Sequence, residues 1–125
     1  MNTMELCWIT LQVRDLERSL AFYTEVLELP ISTRHGGEGT EVVMLGDDDK
    51  PKIELLYDGE AHITNGAEGV FVGLEVASLD EAMADMERKG VAVDGPISPA
   101  PHIRFAFVKD PDGVRVQLVE RRTRD

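Results

Sequence analysis

The segment "ITLQVRDLERSLAFYTEVLEL", residues 9–29, changes its hydrophobic period part-way along. In its first five residues apolar and polar side chains alternate, which is typical of a strand buried on one face. From Leu16 to Leu27, apolar side chains recur at the spacing of one helical face. Asp15 stands just before this run and is a good N-cap residue. The segment therefore predicts a strand followed by a helix.

A similar pattern recurs in the second half of the chain at a constant offset in residue number. Val13 and Val76 define this offset (76 − 13 = 63), and the same offset joins Leu11 to Leu74 and Leu55 to Leu118, among other identities. Chance would give roughly two or three identities over windows of this size, fewer than the sequence contains. We predict one domain over residues 1–125 with two similar halves, about residues 4–60 and 67–121, joined by "AHITNGAE".

Turn signals divide the remainder of each half into three further extended segments. Pro30 and "HGGEGT" interrupt the first half, and "DDDKP" separates strands predicted at residues 40–45 and 52–57. In the second half, Ser78 is the predicted helix cap and Gly90 the predicted stop, and "DPDG" precedes the last strand. Each half then has the order β-α-β-β-β. The predicted fold class is α+β, with two βαβββ modules forming curved mixed sheets around a central cavity.

Strand alternation assigns the side chains to two faces of each sheet. Ile9, Leu11 and Val13 form the apolar set that should lie under the helix. By the same alternation, Cys7 is predicted to be a buried packing residue. The opposite face of each half is mixed in character, and two such faces brought together would line a small-molecule cavity. Its predicted lining includes Trp8, Thr10, Glu54, Phe71, Arg115 and Gln117.

The composition excludes several classes of partner. The chain carries a formal net charge of −11, and an acidic surface repels nucleic acid backbones and anionic membranes. Neither partner is therefore expected. The start of the chain has no basic region followed by an apolar core, and its single cysteine cannot form an internal disulfide. These features favour a cytoplasmic protein.

Several motifs together resemble the vicinal oxygen chelate superfamily. They are the opening segment, "IELLY", "FVGLEVASLDEAMADMERKGV" and "FVKDPDGVRVQLVE", and they cover nearly the whole chain. That superfamily includes glyoxalase I type enzymes, extradiol dioxygenases and bleomycin-type drug-binding proteins. The resemblance implies the glyoxalase-like fold and a homodimer. It does not specify one activity.

In the metal-binding members that the sequence resembles, four strand positions hold the ion. Read in this sequence, those positions are Trp8, Glu54, Phe71 and Gln117. Aromatic rings do not ligate divalent metals, and one carboxylate with one amide is too few for tight zinc, nickel or iron binding. His35, His62 and His102 fall in predicted loops or at a strand edge and match no metal motif. We therefore expect no metal and no cofactor.

Two interpretations remain open for each prominent residue. Trp8 and Phe71 either fill the volume that a metal site would occupy or clamp a planar, apolar or cationic ligand. Glu54 either acts as a general base or ligand anchor, or forms an ion pair with Lys52 or Arg115. Arg34, His35, His102 and Arg104 are read as solvated loop residues, with a minor alternative that they reach over the cavity mouth.

The favoured function is a metal-free small-molecule binding protein of the glyoxalase/bleomycin-resistance type. The alternative is a glyoxalase-like lyase or isomerase that uses Glu54 as general base, with weak or no metal. A third, weaker alternative is a dimeric interaction module. The sequence specifies neither the ligand nor whether the cavity forms within one chain or across a dimer.

Overall fold

The fold consists of strands and short helices in the predicted order. The computed structural model describes residues 5–59 and 70–122. The elements of the first half are β1 (Trp8–Gln12), α1 (Leu16–Leu20), a π-helical turn (Ala21–Val26), β2 (Ile31–Gly37), β3 (Thr40–Leu45) and β4 (Lys52–Tyr57). Those of the second half are β5 (Phe71–Glu75), α2 (Leu79–Arg88), β6 (Asp94–Ala100), β7 (Ile103–Lys109) and β8 (Arg115–Arg121). The predicted α+β class with two βαβββ modules is confirmed.

The two modules form two four-stranded mixed sheets of the same topology. Their strand orders are β1-β4-β3-β2 and β5-β8-β7-β6, with the first pair of each parallel and the others antiparallel. The pairing registers also correspond at the offset of the sequence repeat. Trp8 pairs with Lys52, and Phe71, which is the counterpart of Trp8 in the repeat, pairs with Arg115. The repeat in the sequence is therefore present in the hydrogen-bonding register of the sheets.

The chain divides into two compact units, Met1–Thr64 and Asn65–Asp125. Each unit contains one sheet and its helix. The boundary falls in residues 60–69, which lie outside the described residues, as do the predicted joining segment and His62.

Alternating burial separates the two faces of each sheet as predicted. In the first unit Val13, Ile53 and Leu55 are buried, and in the second unit Val116 and Leu118 are buried. α1 contacts β4, and α2 contacts β7 and β8, so the buried sets face the helices. The prediction for Cys7 is wrong, because its side chain is exposed. β1 begins only at Trp8, so the alternation does not extend to Cys7.

The helices begin where the sequence predicts, but the first one changes form. Asp15 accepts a hydrogen bond from the Arg18 backbone, and Ser78 accepts one from the Glu81 backbone, at 3.2 Å each. After Leu20 the first helix widens into the π-helical turn, where the backbone N–H of Leu27 donates to the carbonyl of Phe22. Within the described residues, no helix has the length and apolar character that a membrane crossing requires.

One predicted loop is part of a strand. From the sequence, residues 35–37 are predicted to belong to a flexible hairpin loop. In the structure β2 continues to Gly37, which pairs with Thr40 of β3. The turn is confined to Glu38 and Gly39, and Gly39 has a φ of 74°, which suits glycine. His35 therefore lies on the edge strand of the first sheet.

Candidate functional site

The first open face is the side of the first sheet that points away from α1. It carries Trp8, Thr10, Met44, Lys52 and Glu54, which are less buried than their neighbours along each strand. Trp8 is 50% exposed, a large exposed fraction for a tryptophan in a strand. Glu54 and Thr10 are paired across β1 and β4, and Glu54 is paired with Met44 across β4 and β3. The pleat thus places these side chains side by side.

The Glu54 carboxylate is held by a neighbouring hydroxyl. Thr10 Oγ1 donates to Glu54 Oε1 at 2.7 Å. Of the two predicted ion-pair partners, Lys52 and Arg115, the ammonium of Lys52 donates to the carbonyl oxygens of Asp48 and Lys50, at 2.9 Å each. The hydrogen bond from Thr10 therefore positions the side chain of Glu54. Its carboxylate can still accept further hydrogen bonds on the open face.

A groove of about 820 Å³ adjoins Trp8 in the first unit. Trp8, Thr33 and Met44 form part of its lining, together with Lys52 and the turn that precedes it. Its volume is within the range of about 300–1,000 Å³ that is usual for ligand sites. Glu54 does not belong to the lining of this groove but is paired with Met44, which does.

The second open face is the side of the second sheet that points away from α2, and it is aromatic. Phe71 packs edge-on against Phe107 with ring centroids 5.2 Å apart, and Phe107 packs similarly against Phe105 at 5.6 Å. The guanidinium of Arg115 lies over Phe71, with Cζ 4.3 Å from the ring centroid. At this distance the guanidinium and the ring attract each other as a cation–π pair. Phe71 is nevertheless 46% exposed.

Gln117 lies beside this aromatic group and next to a glycine. It is paired with Gly73 on one side and with Phe107 on the other. A Cβ atom at Gly73 would lie 3.7 Å from Gln117 Oε1, so the amide reaches across the glycine. Gly73 is the counterpart of Thr10 in the sequence repeat and has no hydroxyl, so the two faces differ chemically at corresponding positions.

Sequence reasoning missed three residues of the open faces, although the signal was present. In "IRFAFVK" alternation places Phe105 and Phe107 together, on the face opposite to Ala106 and Val108. Met44 is the counterpart of Phe107 in the sequence repeat, so the repeat assigns both residues to corresponding places.

The charged residues predicted in loops are engaged in ion pairs on their own units. Arg34 pairs with Glu41 and Glu17, which raises the pKa of its guanidinium. Arg104 pairs with Asp80 at 3.0 Å, and this hydrogen bond likewise raises its pKa. Both arginines lie on strands rather than in loops, and His102 lies in the turn between β6 and β7. The minor alternative that the arginines reach over a cavity mouth is not supported.

The donor atoms at the four positions implied by the resemblance do not fit a transition metal. Trp8 and Phe71 supply no ligand atom, and Glu54 and Gln117 supply one carboxylate and one amide. Zinc, nickel and iron sites in proteins usually have three or four ligands that include imidazole or thiolate. In residues 5–59 and 70–122, no three His, Cys, Asp or Glu side chains are grouped closely enough to hold an ion.

With this geometry established, comparison with known proteins identifies the family. A family model described as Glyoxalase/Bleomycin resistance protein/Dioxygenase superfamily matches residues 6–118. The chain belongs to this superfamily. The resemblance stated from the sequence motifs is therefore confirmed.

Among curated members of the superfamily, similar proteins include two bacterial lactoylglutathione lyases. The protein of Neisseria meningitidis serogroup B (strain ATCC BAA-335 / MC58) is 31% identical over 131 residues, which cover 98% of this chain and 94% of the relative. That of Salmonella typhimurium is 33% identical over 133 residues, which cover 94% and 93%. Both matches span nearly the whole of each protein.

Two solved structures have a similar fold. The trypanothione-dependent glyoxalase I of Leishmania major superposes with a TM-score of 0.80 at 26% identity, over 94% of this chain and 87% of that one. TnmS3, an antibiotic binding protein from Streptomyces sp. CB03234, superposes with a TM-score of 0.77 at 24% identity, over 97% and 98%. The second likeness shows the fold alone.

Proposed function

We propose that this superfamily member binds a small organic molecule on its open faces without a transition metal. The proposed contacts are Trp8, Thr10 and Glu54 on the first open face and Phe71, Arg115 and Gln117 on the second, with each face considered by itself. The observation that carries the proposal is the half-exposed Trp8, which borders a groove of about 820 Å³. By the resemblance, its position is one that holds a ligand in the metal-binding members. A packing residue would be expected to bury its ring, because protein interiors are close-packed.

The first open face is suited to a flat, cationic ligand. An indole ring attracts a cation over its face, and the Glu54 carboxylate can accept a hydrogen bond from an amine in addition to the one from Thr10. Since TnmS3 has the same fold, the fold is compatible with a small-molecule binding protein; the chemistry of this chain's ligand rests on its own residues.

The test uses the emission of Trp8, the chain's single tryptophan. Phenethylamine, as its cation, should quench or shift that emission on titration, and neutral 2-phenylethanol should do so more weakly. Glu54→Gln should weaken phenethylamine binding by about 1.5–3 kcal/mol, the scale of a charge-assisted hydrogen bond. Glu25→Gln is the matched control, because Glu25 is exposed on the helical turn of the same unit. Equal responses in both variants would contradict the assignment of Glu54.

Metal content tests the other part of the proposal. Elemental analysis of the purified protein should give well under one zinc, nickel or iron per chain, because the four positions offer one carboxylate and one amide. About one equivalent of metal, unchanged when His35 and His102 are replaced by Gln, would refute a metal-free site.

A second candidate function is a lyase or isomerase, and the names of the curated relatives favour it. Glu54 would then take a proton from a hydroxyl-bearing carbon next to a substrate carbonyl and return it to the carbonyl carbon. The hydroxyl proton would pass to the carbonyl oxygen, so that the hydroxyl and the carbonyl exchange places. An assay that follows the thioester absorbance of lactoylglutathione, with and without added zinc or nickel, tests this directly. Turnover that Glu54→Gln abolishes and Glu25→Gln retains would favour the enzyme over the binding protein.

We further propose that the protein is a cytoplasmic homodimer. The resemblance to dimer-forming members supports the dimer, and the use of a single cysteine supports a reducing compartment. Fluorescence microscopy of a tagged chain would test the location, and light scattering would test the dimer.

A further inference from the structure

The second unit contains a cavity with both apolar and charged side chains in its lining. Its volume is about 360 Å³, near the lower end of the range for ligand sites. It lies between strands β7 and β8 and the segment that joins α2 to β6. The apolar part of its lining is formed by Val91, Ala92, Val93, Phe107 and Val108.

Two cations and one carboxylate complete the lining of this cavity. Lys109 and Arg115 are directly paired across β7 and β8, and Asp94 is paired with Phe107 across β6 and β7. The formal charge of these three side chains is therefore +1, in a chain whose net charge is −11. A local excess of positive charge in so acidic a protein favours an anionic group at this place over one elsewhere on the surface.

The Arg115 guanidinium is oriented by aromatic rings. Its Cζ lies 4.3 Å from the centroid of Phe71 and 5.9 Å from that of Phe107. A planar guanidinium stacked on a ring keeps its N–H donors in the plane, which suits the two oxygens of a carboxylate. Less side-chain entropy is lost when a pre-oriented arginine binds a ligand.

We propose that this cavity binds a small aromatic carboxylate. The ring lies against Phe107 and the valines that precede β6, and the carboxylate is bound by Arg115 with support from Lys109. The proposal deepens the proposed function and rests on it, because Arg115 belongs to the second open face and the ligand class is assigned to that face. It concerns side chains of the second unit only.

The test is a calorimetric titration with 2-naphthoate and, for comparison, with uncharged 2-naphthamide. Saturable binding of 2-naphthoate is expected, at least about tenfold tighter than that of the amide, which is the scale of a charge-assisted hydrogen bond. Amide resonances of Val91 and Phe107 should shift in heteronuclear NMR spectra as 2-naphthoate is added. No saturable binding, or equal affinity for the two compounds, would overturn the proposal.

Variants in the same unit locate the binding. Arg115→Gln should weaken 2-naphthoate at least about tenfold and Lys109→Gln by a smaller factor, since Arg115 makes the planar contact. Arg115→Lys keeps the charge and should give an intermediate loss if the planar fork matters, and its circular dichroism spectrum checks folding. Arg88→Gln is the control, because Arg88 is exposed on α2 and pairs with Asp85. An equal loss in Arg88→Gln and Arg115→Gln would overturn the site.

The result with 2-naphthoate can be interpreted independently of the result with phenethylamine. If phenethylamine perturbs Trp8 in the first unit while 2-naphthoate does not bind, the proposed function stands and the aromatic carboxylate site falls. If 2-naphthoate binds and responds to Arg115 while phenethylamine leaves the Trp8 emission unchanged, the aromatic carboxylate site stands and the assignment of the first open face falls.

Discussion

At the scale of a single residue, replacing Trp8 tests whether its side chain packs the fold or binds a ligand. Its ring is half-exposed, so Trp8→Ala should reduce the free energy of unfolding by less than about 1.5 kcal/mol, the lower limit for removing a fully buried large side chain. The same change should clearly weaken phenethylamine binding. Urea unfolding followed by circular dichroism, with calorimetric titration, measures both quantities. A large loss of stability with unchanged affinity would show that the indole only fills space.

Glu75 gives a prediction about pH. Arg121 Nη2 donates to Glu75 Oε1 at 2.6 Å, and this hydrogen bond lowers the pKa of the Glu75 carboxyl. Because the folded-state pKa is depressed, the pair stabilises the fold above the ordinary glutamate value of about 4.3. That contribution is lost as the pH falls below this value and through the folded-state pKa. The ion pair with Arg121 gives Glu75 a structural role.

The measurement is an NMR titration of the Glu75 side-chain carboxyl carbon. Its midpoint should lie below the ordinary value in the unmodified protein and return towards that value in Arg121→Gln. Arg122→Gln is the matched control, since Arg122 pairs with Glu120 at 3.8 Å rather than with Glu75. An unchanged Glu75 midpoint in Arg121→Gln would show that the ion pair does not form in solution.

At the scale of secondary-structure elements, a single substitution can test the N-terminal cap of α2. Ser78 Oγ accepts from the Glu81 backbone, and Glu120 Oε1 accepts from the Leu79 backbone at 2.8 Å. Ser78→Ala should cost about 1 kcal/mol of the free energy of unfolding, the usual value for an N-cap. Ser78→Asp should retain most of the stability, because aspartate also caps and its charge favours the helix N-terminus. A neutral Ser78→Ala in urea unfolding would indicate that Glu120 alone satisfies this helix end.

The strands were predictable from the sequence where one face is buried. In β1, β4, β5 and β8 alternation fixed both the element and the face, because a one-residue slip would expose the buried set. β2 was less predictable, since most of its residues are exposed and "HGG" carries a turn signal. The π-helical turn was not predictable either, because its apolar spacing fits an ordinary helix equally well.

The candidate site was predictable only in part, for a different reason. Alternation and the constant offset of the repeat assigned Thr10, Glu54, Phe71 and Arg115 to the mixed faces, and only the pairing registers place Thr10 beside Glu54 and Phe71 beside Arg115. Neither pattern specifies which hydrogen bond a long side chain makes. The ammonium of Lys52, for example, donates to two carbonyl oxygens of the preceding turn. These bonds depend on the local course of the backbone, which neither pattern describes.

For the whole molecule, the apolar side chains that a single chain leaves exposed lead to a prediction about assembly. Among the described residues, six large apolar side chains are at least 44% exposed: Leu6, Trp8, Ile31, Val70, Phe71 and Ile97. Exposed apolar groups of this size often mark interaction surfaces. Trp8 and Phe71 are proposed ligand contacts, and a two-fold dimer is the commonest assembly that would cover the other four. We therefore expect a homodimer with a mass near twice 13.9 kDa.

Light scattering coupled to size-exclusion chromatography measures this mass across a concentration series. A symmetric dimer should hold its mass down to low micromolar concentrations if its interface reaches the usual size of about 1,200–2,000 Å². Ile31→Lys and Ile97→Lys should each favour dissociation if the apolar side chain is buried between copies, because an unpaired ammonium is costly to bury. Lys50→Gln, in an exposed turn, is the control. A mass of 13.9 kDa at every concentration would refute the dimer, and ligand contacts would then have to come from a single chain.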